Sequence, residues 1–207
     1  MKTKILTLVA VAAIALGIGN KALAADKDVV AAKGKDVSTV LTNVTKISKI
    51  EVRGNVELYV SDGEADQVKV YNKYYEESAL VQSQNGVLRI SSYADQKLVV
   101  WIKAADLRAI SAYDNAEVRS FGKLSPLDMT VILNNNAYAK LDVEGYGMNI
   151  IVNDRAKADL AGNVEQCTLR YNRSATVNST EFVAAHLSRT IDGVAVNSKK
   201  ADEFAGL

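Results

Sequence analysis

From Ile47 onward, apolar and polar residues alternate with a period of two in short runs, the signature of strands with one face turned to a core. Such runs cover Ile50 to Val60, Gln67 to Tyr71, Ala79 to Ser83, Val87 to Ser91 and Leu98 to Ile102. They are rich in Val, Ile and Tyr, which suit a pleated, half-buried surface. Asp62-Gly63 and Asn85-Gly86 fall between runs, and Asn-Gly is a strong hairpin signal because both turn residues reach positive φ cheaply. The pattern predicts antiparallel hairpins in the first half of the chain.

After Leu107 the alternation becomes a repeat. ISAYDNAEVRSF (110–121), VILNNNAYAKLDV (131–143), IIVNDRAKADLAG (150–162) and LRYNRSATVNS (169–179) each run apolar alternation into an Asx corner and out into small residues. Aligned on Asp114, Asn135, Asp154 and Asn172, the spacings are 21, 19 and 18 residues, and Asp192 in TIDGVAV adds a fifth corner at 20. In the fourth repeat the inward set reads better as Leu169, Tyr171, Ala175 and Val177, which moves the corner to Arg173. A repeat near this length, built of strands without a helical period, predicts an all-β fold: a right-handed β-solenoid with coils of about 20 residues spanning 46–196.

Equivalent corner residues in such a stack lie about 4.8 Å apart, the spacing of adjacent strands. The first corner column is Asp114, Asn135, Asp154, Asn172 and Asp192; a neutral Asn between two carboxylates doubles their separation and halves their repulsion. The second column is Asn115, Asn136, Arg155, Arg173 and Gly193. Asn and Gly there suit a left-handed corner, whereas Arg is a costly choice unless neighbouring acids offset it or the corner is not left-handed. Asn134 has no positional reason in this alignment.

The first residues, MKTKILTLVAVAAIALG, place Lys2 and Lys4 before an apolar stretch too short for a bilayer span, and Ala22-Leu23-Ala24 follows. Residues 1–24 therefore read as a cleaved signal peptide, and the protein as exported, whether periplasmic, at the outer surface or secreted, with no membrane insertion after cleavage. Residues 25–45 read as a linker or flexible arm, and 197–207 as a charged tail that discourages end-to-end stacking. Cleavage lowers Lys+Arg from 25 to 22 against 24 Asp+Glu. That balance gives no electrostatic case for nucleic acid and leaves glycans or surface proteins as partners, with self-association through open strand edges also expected.

Catalytic chemistry finds little support in the sequence. The single histidine, His186, has no partner that sequence nominates, and the single cysteine, Cys167, sits in an alternating run as a small buried residue. One His and one Cys make a poor zinc set, and no phosphate-cradling glycine loop occurs, so no metal and no cofactor is expected. Aromatic residues are the better candidates for binding. Tyr113, Tyr138 and Tyr171 lie near the corners, with Tyr146 close by, and Tyr74 and Tyr75 cluster in YNKYYEE. An exposed phenol ring offers a flat apolar face with a polar edge, suited to a sugar or a protein surface.

Three stretches carry a resemblance to a known family: IEVRGNVELYVSDGEADQVKV, then GVLRISS, then KLVVWIKAADLRAISAYDNAEV, followed by the recurring corners. Over about residues 46–196 the chain resembles the head GIN domain family of "putative auto-transporter adhesins", exported proteins of Bacteroidetes-type bacteria. That family's usual corner is Ser-Gly, which only Asp192-Gly193 approaches here. The resemblance implies an exported all-β protein with an adhesive role and carries no catalytic residues. The expected function is a non-catalytic scaffold of the cell envelope, binding a glycan or surface protein through its lateral face. The alternative is a carbohydrate-active enzyme, a polysaccharide lyase or hydrolase on a β-helix scaffold, which needs converging carboxylates in a groove.

Overall fold

The computed structural model describes residues 38–41, 44, 46–71, 79–191 and 194–196. The leader, most of the arm, the tail, the corner Asp192-Gly193, and both Tyr74 and Tyr75 lie outside the described residues. In chain order the strands are β1 (Ser38–Leu41), β2 (Lys49–Gly54), β3 (Val56–Asp62), β4 (Gln67–Tyr71), β5 (Ala79–Gln84), β6 (Val87–Ser92) and β7 (Leu98–Ala104). They continue as β8 (Ala109–Tyr113), β9 (Glu117–Ser120), β10 (Asp128–Leu133), β11 (Tyr138–Val152), β12 (Lys157–Tyr171), β13 (Thr176–Ile191) and β14 (Val194–Val196). There is no helix among the described residues.

All fourteen strands belong to one mixed sheet, most of it ordered β1-β4-β7-β3-β9-β11-β10-β8-β2-β6-β5. The sheet turns on itself at β11, whose first residues pair in parallel with β9 and whose last pair in parallel with β10. It therefore has two tiers facing a shared interior. β12 and β13 repeat this arrangement, each pairing in parallel with its predecessor along nearly its whole length, at an offset of 19 residues throughout β11–β12 and of 20 over most of β12–β13, where a bulge between Asp159 and Ala161 adds a residue.

That register builds the core from columns of like residues. Ile50 sits between Leu88 and Ile110, and the column runs on through Val131, Ile150 and Leu169, all at most 2 % exposed. On the facing tier Val100, Leu58, Val118, Ala139 and Ala158 form the equivalent column, all at most 1 % exposed. Every inward side chain is thus packed by residues one strand above and below. With a single cysteine in the chain and no metal-holding group among the described residues, this burial, worth roughly 25 cal/mol per Å² of apolar area, is the main source of stability.

The first half differs from the hairpin expectation. Among the described residues of this half only β5–β6 is a hairpin, turning at Asn85 and Gly86 with φ of 51° and 78°. Asp62-Gly63 joins strands that do not pair: β3 lies parallel on one side of β7, and β4 lies antiparallel on the other. β2 pairs in parallel with both β6 and β8, and β3 with both β7 and β9. Alternation states only which face of a strand is buried, so it cannot separate parallel from antiparallel partners. As a result the β2–β3 segment is inserted between β6–β7 and β8–β9, out of chain order. The antiparallel strands β4 and β5 then cover the outer edges of β7 and β6.

The corners also need correction. Left-handed backbone falls on the first column, at Asp114, Asn135 and Asp154 (φ 62°, 61° and 56°), not on the second. Ala116, Ala137 and Ala156 N–H groups donate to Tyr113, Asn134 and Asn153 carbonyls at 3.1 Å, so each corner is a turn with positive φ at its first central residue only. Arg155 therefore meets no left-handed penalty. Asn172 does not continue the first column: Tyr171 registers with Val152, which aligns Asn172 with Asn153 and Asn134 and puts Arg173 beside Asp154. The fourth corner is an Asx turn, with Asn172 Oδ1 accepting from Ser174 and Ala175 N–H at 3.2 and 2.9 Å. Asn134 gains a role in the same way, since its Oδ1 accepts from Asn153 Nδ2 at 2.9 Å.

Candidate functional site

Parallel register stacks the outward side chains as regularly as the inward ones. On the tier containing β3, β7 and β9, one outward column reads Lys69, Trp101, Tyr59, Arg119, Lys140, Asp159, Asn178. The Tyr59 and Trp101 rings stack with centroids 4.6 Å apart and planes 20° from parallel. Phe121 and Tyr71 approach Trp101 edge-on at 4.9 and 6.4 Å. Phe121 is 60 % exposed and gives this cluster an open ring face.

Beside the rings lies an ionic cluster centred on Arg119. Its Nη2 donates to Glu117 Oε2 at 3.0 Å, and its Nε lies 3.2 Å from Glu57 Oε1, an ion contact outside hydrogen-bond angle. Lys97 Nζ holds the other Glu117 oxygen at 2.6 Å and, ahead of the competing effect of burial, keeps that carboxyl below its ordinary range. The Tyr59 hydroxyl donates to Glu57 Oε1 at 2.9 Å, which raises the phenol pKa. Tyr138, in the adjoining column, donates to Asp159 Oδ2 at 2.6 Å. Burial first, and that carboxylate second, push its phenol up to about 12.

Two shallow depressions meet at Arg119 on this face. One, about 530 Å³, is lined by Glu117, Arg119, Asn136, Tyr138, Arg155 and Lys157. The other, about 500 Å³, has Tyr59 and Phe121 as an aromatic wall and Lys140, Asp142, Asp159, Asn178, Thr180 and Glu181 among its polar lining. Rings beside hydrogen-bonding groups of both signs make a surface that can stack on the apolar face of a sugar and bond its hydroxyls.

The tyrosines nominated from sequence do not come together. Tyr138 lies on this face. Tyr113 registers with Arg53 and points outward from the other tier, its ring 3.7 Å beneath the Arg53 guanidinium. Tyr171 registers with the buried Val152 and packs against the core, because the fourth corner is shifted by one residue and inward parity shifts with it. Tyr146, 49 % exposed, accepts from Gln166 Nε2 away from the ring cluster. The aromatic cluster itself was missed. Its signal was the parity of KLVVWIK and VELYV: with Val100, Ile102, Leu58 and Val60 inward, Trp101 and Tyr59 must face out.

Elsewhere, His186 is an exposed side chain 3.6 Å from Glu165. The Cys167 thiol is buried, and burial pushes its pKa up to about 11. No group of His, Cys, Asp and Glu among the described residues is arranged to hold a metal. No helix among them is long and apolar enough to cross a membrane.

A family described as "Putative auto-transporter adhesin, head GIN domain" matches residues 46–200. The chain belongs to this family. Among solved structures, a "putative adhesin" from Bacteroides fragilis superposes with a TM-score of 0.68 at 13 % identity, covering 76 % of this chain and 77 % of that one. A "putative lipid binding protein" from Parabacteroides distasonis gives 0.59 at 9 % identity, covering 75 % and 78 %. A "putative adhesin" from Parabacteroides merdae gives 0.56 at 14 %, covering 75 % and 77 %. At such identities the likeness is one of fold. No curated protein matches the chain.

Proposed function

We propose that this protein is an exported, non-catalytic, adhesin-like scaffold of the cell envelope that binds a glycan or surface protein through its lateral face. Its fold is a right-handed β-solenoid with coils of about 20 residues, reached after removal of the signal peptide 1–24. The observation that carries the binding reading is the outward cluster of Trp101, Tyr59 and Phe121 beside the polar depression. Rings that only stabilised the sheet would not need an exposed member such as Phe121 facing a hydrogen-bonding surface. Membership of an adhesin family supports the same reading.

The test is a glycan array and a surface-protein pull-down with the wild type and Phe121→Ala, a change at an exposed side chain that leaves the core intact. Binding that falls at least tenfold in the variant supports the lateral face; binding left untouched moves the site elsewhere. An enzymatic alternative has one specific support, that Asp142, Asp159 and Glu181 line the same depression. Release of reducing ends or unsaturated products from acidic polysaccharides, abolished by Asp142→Asn, would replace the scaffold reading with the enzymatic one.

A further inference from the structure

The charges around the aromatic cluster narrow the ligand class, on the reading that the lateral face binds a glycan. Glu57 and Glu117 are both engaged, by Arg119 and Lys97. Two acids and two bases cancel there. Asp159, directly opposite Lys140, accepts from the Tyr138 hydroxyl but keeps its charge, and Asp142 lies two residues beyond Lys140 in the same depression, so the surplus positive charge of the strip is greatest at its Lys69 and Lys103 end. Lys69, Lys103 and Lys140 remain with no ion-pair partner among the described residues.

Their positions are set by register. Lys69 is beside Trp101 on β4, two residues along β7 lies Lys103, and Lys140 follows Arg119 at the far end of the ring pair. At about 4.8 Å per strand, Lys69 and Lys140 stand roughly 19 Å apart along the column, with Trp101, Tyr59 and Arg119 between them. The strip from β4 to β11 therefore presents ammonium groups at both ends and alongside, with aromatic rings in the middle. A polyelectrolyte without rings would have no use for Trp101 and Phe121, and a neutral glycan would have no use for the three free ammonium groups.

We infer that the lateral face takes an acidic polysaccharide of the uronate class, its sugar rings against Trp101, Tyr59 and Phe121 and its carboxylates on Lys69, Lys103 and Lys140. The chain lies along the stacking direction, so that its carboxylates meet lysines on β4, β7 and β11. Each such contact is a charge-assisted hydrogen bond on an exposed surface, which salt weakens.

Trp101 is the only tryptophan in the chain, so its emission reports on the site directly. The experiment titrates the mature protein with polygalacturonate, with its fully methyl-esterified form, in which the carboxylates are masked, and with poly-glutamate, which has carboxylates but no sugar rings. A saturable change with polygalacturonate is expected, at least tenfold weaker with the other two polymers and weaker again as NaCl rises. The triple variant Lys69→Gln/Lys103→Gln/Lys140→Gln should lose at least tenfold in affinity while keeping the wild-type circular dichroism.

Equal binding of the methyl ester overturns this inference and leaves the lateral-face glycan reading standing. Equal binding of poly-glutamate overturns it as well, by reducing the site to charge. No response to polygalacturonate overturns it outright, and the array with Phe121→Ala then decides separately whether the lateral face binds anything.

Discussion

The corners make the most discriminating prediction about how this fold is held. Asn135 occupies the left-handed region at φ 61°, and its Oδ1 accepts from the Asp114 N–H at 3.2 Å. Alanine at this position keeps neither tolerance, since left-handed backbone costs a residue with an ordinary Cβ about 1–2 kcal/mol. The lost side-chain acceptor adds about 0.5–1.5 kcal/mol. Asn135→Ala should therefore destabilise by about 2–3 kcal/mol. Asn135→Gly loses the same acceptor but meets no steric penalty, so its loss should stay near 1 kcal/mol after the entropy of the freer unfolded chain is included. The second column provides the control: Arg155 has no positive φ, and its N–H already donates to the Asn135 carbonyl at 2.9 Å. Arg155→Gly should thus give no stabilisation, whereas a left-handed second column would make it gain about 1 kcal/mol. Urea denaturation followed through Trp101 emission measures all three. Asn135→Ala and Asn135→Gly falling within about 0.5 kcal/mol of each other would refute the assignment of strain, as would a stabilised Arg155→Gly.

Four further outcomes follow from single sites. Asn135→Asp places three carboxylates in succession at the corner, each pair repelling by about 0.9 kcal/mol in water at 4.8 Å, so its destabilisation should shrink as salt rises; a salt-independent loss would indicate a lost hydrogen bond instead. Gly162→Ala should cost more than about 2 kcal/mol, because φ is 101° and a Cβ would sit 2.1 Å from the Val143 carbonyl oxygen; wild-type denaturation behaviour would contradict that contact. The Cys167 thiol, raised to about 11 by burial, should resist thiol reagents until the protein unfolds, and stability should be lost as pH climbs from the ordinary thiol range through that value. Tyr138 should ionise only near pH 12 in an ultraviolet titration, with its stabilising contribution complete below pH 10 and lost above; Asp159→Asn should lower that pKa only in part, since burial is the larger cause, and full recovery of the ordinary value would show otherwise.

Residues 110–162 were the legible part of this fold. There the corner spacing matches the parallel register of β8–β9, β10–β11 and β12, and the inward residues of each repeat do stack. The shifted fourth corner was legible too, because the alternation of Leu169, Tyr171, Ala175 and Val177 outweighs the nominal Asx alignment. Which residue of a corner is left-handed was not. Asp114 and Asn115 are both permitted that conformation, and the choice is made by backbone bonds between strands, such as Asn136 N–H to Asp114 carbonyl at 2.9 Å. Side-chain identity alone offers no such information.

The aromatic site was hidden for a related reason. Tyr59 and Trp101 are 42 residues apart and meet because β3 lies parallel to β7. Had the segments stacked in chain order, β7 would lie between β3 and β9, and Trp101 rather than Tyr59 would adjoin Arg119. Insertion of β2–β3 between β6–β7 and β8–β9 keeps the two rings adjacent but exchanges them, so that Tyr59 adjoins the cation and Trp101 stands one strand further from it. The same insertion leaves β7 as the strand that β4 covers, which brings Lys69 beside Trp101. A local alternation pattern can show that each of these side chains faces outward, but only the long-range order of strands makes them one surface, so the order of stacking is itself a determinant of the binding face.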